Sequence, residues 1–315
     1  VPVIYDTVIV GGGIAGLQAA IQLGRSRRQV LVVDDGKGRS TLAKNYRNIL
    51  GFPEGVSGQY LRMMGTRQAK QVGVEFLPDR AIEIHQDDDG IFRIKTQKGT
   101  TAYTGRTLLL ATGITDAIPY IPGLGDCLGE SVYICPDCDG YEVLSQKTVV
   151  IGSGPQAAHL ARILKYFTDD LLVINHTNEE IDPEVSNHLQ EENIKFIAEK
   201  VIRIEQEKGR LQAVHLENGD KLPVEKGFVA FRGAVVNTGL LRSFPLHMLS
   251  NGHIVVDGRT KETSYPNIWA VGDVAAHSQM STIAMGDGAQ AAIWIHKRLF
   301  ELAGKKSYIN PHTHA

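Results

Sequence analysis

Twice in this chain a short apolar strand runs into a glycine-rich turn and then a helix-periodic segment, first at residues 7–23 and again at residues 148–167. A late Gly-Asp segment ending at Asp273 has no such turn of its own. These observations predict an α/β fold of two Rossmann-like, three-layer dinucleotide-binding domains, the second inserted into the first.

The first unit opens with the strand Thr7-Val8-Ile9-Val10, the turn Gly11-Gly12-Gly13-Ile14-Ala15-Gly16 and a helix through Leu23. A second strand, Gln29 to Val33, ends in Asp34, near the spacing at which a carboxylate meets a ribose hydroxyl. The glycines let the backbone approach a pyrophosphate, and the helix start offers unpaired N–H donors. A polar loop from Arg39 closes with Asn48-Ile49-Leu50-Gly51-Phe52-Pro53, and a helix is expected over about Gln59 to Val72. Phe92 to Thr96 and Thr101 to Tyr103 read as a small β-meander inserted as a crossover. Leu108 to Gly113 reads as a buried strand whose small-residue end, Ala111-Thr112-Gly113, suits close approach to a ligand.

From Asp116 the pattern breaks, with Pro119 and Pro122 around a turn. The opening then recurs as the strand Thr148 to Ile151, the turn Gly152-Ser153-Gly154-Pro155-Gln156-Ala157 and a helix to Phe167. Leu171 to Ile174 and Gly227 to Phe231 are further strands, and residues 243–249 a candidate linker. Asn267 to Asp273 is a strand ending in Gly-Asp, followed by a helix over about Gly286 to Leu302. The economical division assigns residues 1–117 and 249–315 to the first domain and 118–248 to the insert.

Between the two fingerprints lies Cys135-Pro136-Asp137-Cys138-Asp139-Gly140. Two thiols three residues apart can hold a disulfide, open it and close it, a two-electron store. Pro136 suits a first helical turn, whose positive end would lower thiol pKa values. Asp139 would stand beside the second thiol, where a carboxylic acid could protonate a departing thiolate. Zinc would need four ligands, and the third cysteine, Cys127, has no partner spaced around it. A purely structural disulfide belongs to oxidising compartments, which nothing in the sequence indicates. The pair therefore reads as redox-active, and no metal is expected.

At 315 residues the chain is long enough for two domains. With 43% hydrophobic and 22% charged residues and a formal net charge of -2, it accumulates too little of either sign to suggest nucleic acid or a membrane surface. Its longest apolar runs are strand-sized, far short of a membrane span. The opening residues run straight into a strand without a targeting segment, so a cytoplasmic location is expected.

The order of these motifs resembles the low-molecular-weight thioredoxin reductase family over essentially the whole chain. The resemblance rests on Gly11 to Gly16, Asn48 to Pro53, Ala111-Thr112-Gly113, Cys135 to Gly140, Ala270 to Asp273, Gln279, and Ala284-x-Gly286-x-Gly288. It implies that the terminal segments bind FAD, that the insert carries the C-x-x-C and binds NADPH, and that the enzyme is a homodimer. Gly11, Gly13, Ala15 and Gly16 would then cradle the FAD pyrophosphate and Asp34 the adenosine ribose. Asn48, Ala111, Thr112, Gly113 and Gly272 would line the site, Asp273 would bind the ribityl chain, and Gln279 and Met280 would face the flavin. Cys138 would be the thiol nearest the flavin, Cys135 the one exchanging with substrate, and Asp139 the acid.

One place departs from that pattern. After the second strand of the insert the family carries a His-Arg-Arg and a further Arg for the 2′-phosphate of NADPH, whereas this chain reads Asn175-His176-Thr177-Asn178-Glu179-Glu180. No Arg is present to pair with a phosphate, two carboxylates would repel one, and Asn175 does not supply the acid expected for NAD. Pro155 also stands where the family has a polar residue. The chain therefore resembles most the pyridine-nucleotide-independent members, some fed by ferredoxin, and the expectation is that neither NADPH nor NADH reduces it. A rearranged site, in which Arg162 or Arg232 reaches the phosphate, remains the alternative. The expected reaction runs from reduced flavin through the Cys135–Cys138 disulfide to a protein disulfide, most simply that of thioredoxin. A flavin-dependent dithiol oxidase of gliotoxin or dithiolopyrrolone type would run the same exchange backwards, and a non-catalytic flavin redox sensor is the third reading. The tail after Gly304 is longer than the family needs; it is either a terminus without fixed structure or a cover for the flavin through Tyr308 or His312.

Overall fold

A computed structural model of the chain describes residues 3–304. Tyr308 and His312 lie outside the described residues. The chain divides into two compact units. One comprises the residues up to Thr41, Gly58–Thr115 and the chain from Val235 onward; the other comprises Leu42–Ser57 and Asp116–Ala234.

The sheet of the first unit runs in the order Glu75–Leu77, Val30–Val33, Ile4–Val10, Tyr103–Leu110, Phe92–Thr96, Ala81–Gln86. Ile268–Ala270 joins in parallel against the carboxyl half of Tyr103–Leu110. Its central strands are buried on both faces, which is why they read as unbroken apolar runs. Successive side chains part company as strand geometry requires. Ile9, Val32, Leu109 and Trp269 pack toward the helices Ile14–Arg25 and Ser281–Leu302, and Val8, Val10, Leu31, Leu108 and Leu110 pack toward Phe92, Leu241, Phe244 and Ile254.

In the second unit the strands Lys195–Ile197, Leu171–Asn175, Thr148–Gly152, Lys226–Ala230 and Val132–Tyr133 pair in parallel in that order. The helix Gly154–Leu164 packs on one face through Ala157, Ala158, Ala161 and Leu164. A separate antiparallel sheet, Val201–Glu207, Arg210–Leu216 and Lys221–Pro223, contributes Ile204, Leu211 and Val214 to the core on the other. Among the described residues no helix is long and apolar enough to cross a membrane.

Several expected boundaries move. Val235–Val236 pairs antiparallel with Ile114–Thr115, and Leu241 and Phe244 join the first unit's core. The chain therefore returns to the first unit at Val235, not after residue 248. The segment Leu42–Ser57, expected in the first unit, groups with the second: Tyr46 and Val56 bridge each other, and the Lys44 ammonium donates to the Asp126 carbonyl at 2.5 Å. The expected breaks between Tyr103 and Leu108 are absent. Gly105 stays in the strand because it is paired in register on both sides, opposite Tyr5 and opposite Phe92. Ala81–Gln86, not foreseen, completes the meander by pairing with Phe92–Thr96.

The two helices on the first sheet approach closely at Gly288. A Cβ there would run into the Ala15 carbonyl and come within 3.0 Å of the Ala19 nitrogen. Gly288→Ala therefore sets two effects against each other. Helix propensity alone favours Ala by about 1 kcal/mol, while overpacking against backbone costs about 1–3 kcal/mol. Urea unfolding of the variant is expected to show a net loss of stability; a gain would mean that the helices separate without cost.

Candidate active site

The first fingerprint is held by backbone contacts that leave no room for side chains. Gly11 has a φ of 106°, and a Cβ on it would collide with the Ala111 carbonyl; a Cβ on Gly16 would collide with the Gly11 carbonyl. Gly13 is different, since a Cβ there meets nothing within 4 Å. It is also the N-cap of Ile14–Arg25, with no side chain closing the free N–H groups of that helix. At the end of the second strand Asp34 accepts from the Gly12 N–H at 2.8 Å, the Gly36 N–H at 3.2 Å and Arg62 Nη2 at 2.7 Å. Oδ1 takes one of these bonds and keeps capacity for another. Arg62, from the helix Gly58–Gln71, carried no signal in the sequence; only its position in the fold brings it to Asp34.

The late Gly-Asp segment closes on the same fingerprint. Gly272, with a φ of 70°, stands where a Cβ would come within 2.9 Å of the Ala15 methyl. Its N–H donates to Asp287 Oδ2 at 3.2 Å. Asp287 is buried, with Lys261 Nζ at 3.0 Å and His277 Nε2 at 2.6 Å. Burial alone would raise the Asp287 carboxyl, but the hydrogen bonds from His277 and Lys261 outweigh it and hold the group below the usual range; the bond to Asp287 raises His277 in turn. Asp273 accepts from Arg39 Nη1 at 3.2 Å, and the same nitrogen donates to Gln279 Oε1 at 2.6 Å. Met280 is the extended N-cap of Ser281–Leu302, again without a side-chain cap. Thr112 donates through Oγ1 to the Asn237 carbonyl at 2.7 Å, and the Asn237 amide donates back to the Thr112 carbonyl at 3.0 Å, with the Asn237 N–H on Gly113. The structure thus brings together Gly11, Gly13, Ala15, Gly16, Asp34, Ala111, Thr112, Gly113, Gly272, Asp273, Gln279 and Met280 within one unit. Asn48 is not among them; it is exposed, on the segment grouped with the second unit.

In that second unit Cys135 is the N-cap of a short helix, Pro136–Asp139, with Pro136 in its first turn. The expected helix-end effect acts here through one N–H, that of Cys138, and it stands second to the bond between the two thiols. A hydrogen bond from the Cys138 thiol, and then the Cys138 N–H, hold the Cys135 thiol below its ordinary range despite burial. The same bond, then burial, pushes the Cys138 thiol up. The pair is polarised, with Cys135 the better thiolate. Gly140 follows because a Cβ there would press into the Phe167 ring at 2.5 Å. Burial, then the Glu142 carboxylate, pushes Asp139 up to about 6, while Arg47 and Lys226 pull the other way. Cys127 is buried away from this chemistry.

The second fingerprint repeats the first with one change. A Cβ on Gly152 would collide with the Ala230 carbonyl, as on Gly11 with Ala111. At Gly154, the counterpart of Gly13, a Cβ would instead meet the Glu179 carbonyl at 2.7 Å, Ile181 Cγ2 at 2.9 Å and Asn175 Nδ2 at 3.0 Å. The chain's own loop fills the place that is open in the first unit. That loop is tied down: Asn175 donates to the Glu179 carbonyl at 2.7 Å, the Val201 N–H donates to His176 Nδ1 at 3.1 Å, and Arg232 pairs with Glu179 at 3.5 Å. Arg162 is exposed in the last turn of Gly154–Leu164, at the far end from the fingerprint. Pro155 is accommodated in the first turn of that helix.

Comparison with known proteins places this arrangement. Residues 5–291 match the model of the pyridine nucleotide-disulphide oxidoreductase family. A thioredoxin reductase of Treponema pallidum is 32% identical over 310 residues, covering 91% of this chain and 95% of that protein. Among solved structures, HlmI superposes with a TM-score of 0.85 at 29% identity, covering 96% of this chain and 95% of its own. A thioredoxin reductase from Streptococcus pyogenes superposes with a TM-score of 0.84 at 25% identity, over 95% of this chain and 99% of that one. Two dinucleotide-type folds, one of them bearing a polarised C-x-x-C pair, thus make up an enzyme, and the chain belongs to the pyridine nucleotide-disulphide oxidoreductase family.

Proposed function

We propose that the chain is an FAD-dependent thiol/disulfide oxidoreductase of thioredoxin reductase type. In this reading electrons pass from flavin through the Cys135–Cys138 pair to a protein disulfide such as that of thioredoxin, and no pyridine nucleotide is the donor. One contrast carries the reading: the first fingerprint is open at Gly13, and the second is filled at Gly154 by Glu179 and Ile181. Two uncapped helix starts, at Gly13 and Met280, and the Asp34 carboxylate fit a flavin dinucleotide. Bound FAD would supply two-electron exchange with the disulfide.

The rest is work for the chain's own groups. Asp34 would accept from the adenosine ribose, Asp273 from the ribityl chain, and the N–H groups after Gly13 would hold the pyrophosphate. The Cys135–Cys138 disulfide takes two electrons and two protons to become two thiols. Asp139, held near 6 by burial and Glu142, keeps enough protonated acid close to neutrality to give one proton to the departing Cys138 thiolate. Cys135, the more acidic thiol, attacks the substrate disulfide, and Cys138 then displaces the reduced substrate to reform the pair. In this reading a carrier such as ferredoxin can be the donor, two single-electron deliveries making up the pair, and the enzyme is taken to be a homodimer in the cytoplasm.

Cys138→Ser is expected to keep FAD bound and to lose disulfide reduction; wild-type turnover by this variant would remove the pair from the reaction. Oxygen consumption with a small dithiol, and no reaction with thioredoxin, would reverse the assigned direction.

Anaerobic titration followed by flavin absorbance tests the donor. With no Arg fork for a 2′-phosphate, and with Arg232 engaged by Glu179, NADPH binding is weakened by roughly two decades or more, about 3 kcal/mol. NADPH and NADH are expected to leave the oxidised spectrum standing and a ferredoxin-type or chemical donor to bleach it. Prompt bleaching by micromolar NADPH would restore a nucleotide-dependent enzyme.

A further inference from the structure

The acid beside the dithiol is surrounded by more charge than its role requires. Glu142 lies three residues after Asp139, in the turn Gly140–Val143, with its side chain largely buried. Its partner is Arg47, from the segment Leu42–Ser57, with which it forms a direct ion pair. The other groups around Asp139 are the Cys135 and Cys138 thiols of its own turn, Tyr133 on the neighbouring strand, and Lys226 on the strand beside that one. Lys226 also favours the Asp139 carboxylate, though less than Arg47 does. Its ammonium donates to the Tyr133 hydroxyl at 3.0 Å and lies 5.3 Å from that ring's centre, while the Tyr133 hydroxyl donates to the Glu130 carbonyl at 2.8 Å. Among the described residues Arg47 and Glu142 are the charged groups that act most strongly on Asp139, and they are in direct contact with each other.

We propose that Arg47 and Glu142 are positioning residues whose ion pair sets how tightly Asp139 holds its proton, and hence the pH above which the dithiol turns over slowly; this rests on the acid role assigned to Asp139 above. A negative neighbour disfavours the carboxylate and a positive one favours it. Glu142 therefore keeps the proton on Asp139, and Arg47 limits that effect. The pair holds the acid so that it gives its proton to the Cys138 thiolate and regains one from solvent near neutral pH. With Glu142 alone the acid would reload easily and donate reluctantly; with Arg47 alone it would be ionised before the thiolate departs. The arrangement also gives the loop Leu42–Ser57 a task in the second unit, which its place in the chain, between two stretches of the first unit, does not suggest.

The test uses the signs. In the oxidised holoenzyme, Asp139 is titrated by carboxyl carbon NMR with 13C-labelled aspartate, assigned by its absence in Asp139→Asn. Glu142→Gln is expected to move the Asp139 titration down by about half to one pH unit and Arg47→Gln to move it up by a similar amount. Arg47→Gln/Glu142→Gln should return it toward wild type. The alkaline limb of the pH profile for disulfide reduction should follow in the same order. A pair that only fastens the loop would leave the titration unmoved, or shift it the same way in both single variants with matching losses of thermal stability, and either result overturns the proposal. Should Asp139→Asn keep the wild-type alkaline limb, the acid role itself fails, and the carboxyl titration still decides whether the pair governs Asp139.

Discussion

The first unit is built outward from a contact that only glycine permits, Gly11 against the Ala111 carbonyl. That approach brings the start of the helix Ile14–Arg25 to the carboxyl ends of the central strands, where ligands of open α/β sheets bind. Other parts stack upon it. Gly16 lies under Gly11, Ala15 lies under Gly272, and Gly288 draws the last helix onto the Ala15 carbonyl. The buried Asp287, with Lys261 and His277, then fixes the Gly272 N–H and with it the direction of Asp273. A Cβ at any of these glycines would push the helix start away from the strands it serves.

The second unit uses the same contact, Gly152 against Ala230, and spends it differently. A glycine turn makes a tight joint between strand and helix whether or not anything binds in front of it. What decides between joint and binding site is the next few ångströms, and there the loop after Leu171–Asn175 lies against Gly154 with its carboxylate tied to Arg232. Two fingerprints of nearly identical spelling therefore have different surroundings, and the difference lies in a loop with no motif.

Much of this was legible in the sequence. Period and punctuation exposed the parallel strands, the two turns, the helices behind them and the C-x-x-C, because burial on both faces and close backbone approach each leave a local mark. The missing arginines after Asn175 were visible as well. Groups that act across the fold were not. Arg62 on Asp34, Arg39 between Asp273 and Gln279, Asn237 on Thr112, and Arg47 on Glu142 come from loops or helix faces whose sequence says only that they are polar. Their partners are 28 to 240 positions away. Domain boundaries moved for a related reason: Val235–Val236 is too short to show periodicity and is placed by contacts distant in sequence, its pairing with Ile114–Thr115 among them. The helix start does help to lower the Cys135 thiol, through the Cys138 N–H, but the larger cause is contact with the Cys138 sulfur, which the sequence could not rank.

In the proposed reaction one flavin and one cysteine pair share electrons in this chain. An anaerobic titration of the holoenzyme with a chemical reductant, followed to complete bleaching, counts them. Since a flavin and a disulfide are each two-electron couples, the wild-type enzyme should take up four electrons per bound FAD and the Cys135→Ser/Cys138→Ser variant two. Uptake of only two electrons by the wild-type enzyme, with both cysteines found as a disulfide at the start and unreacted at the end, would contradict the account.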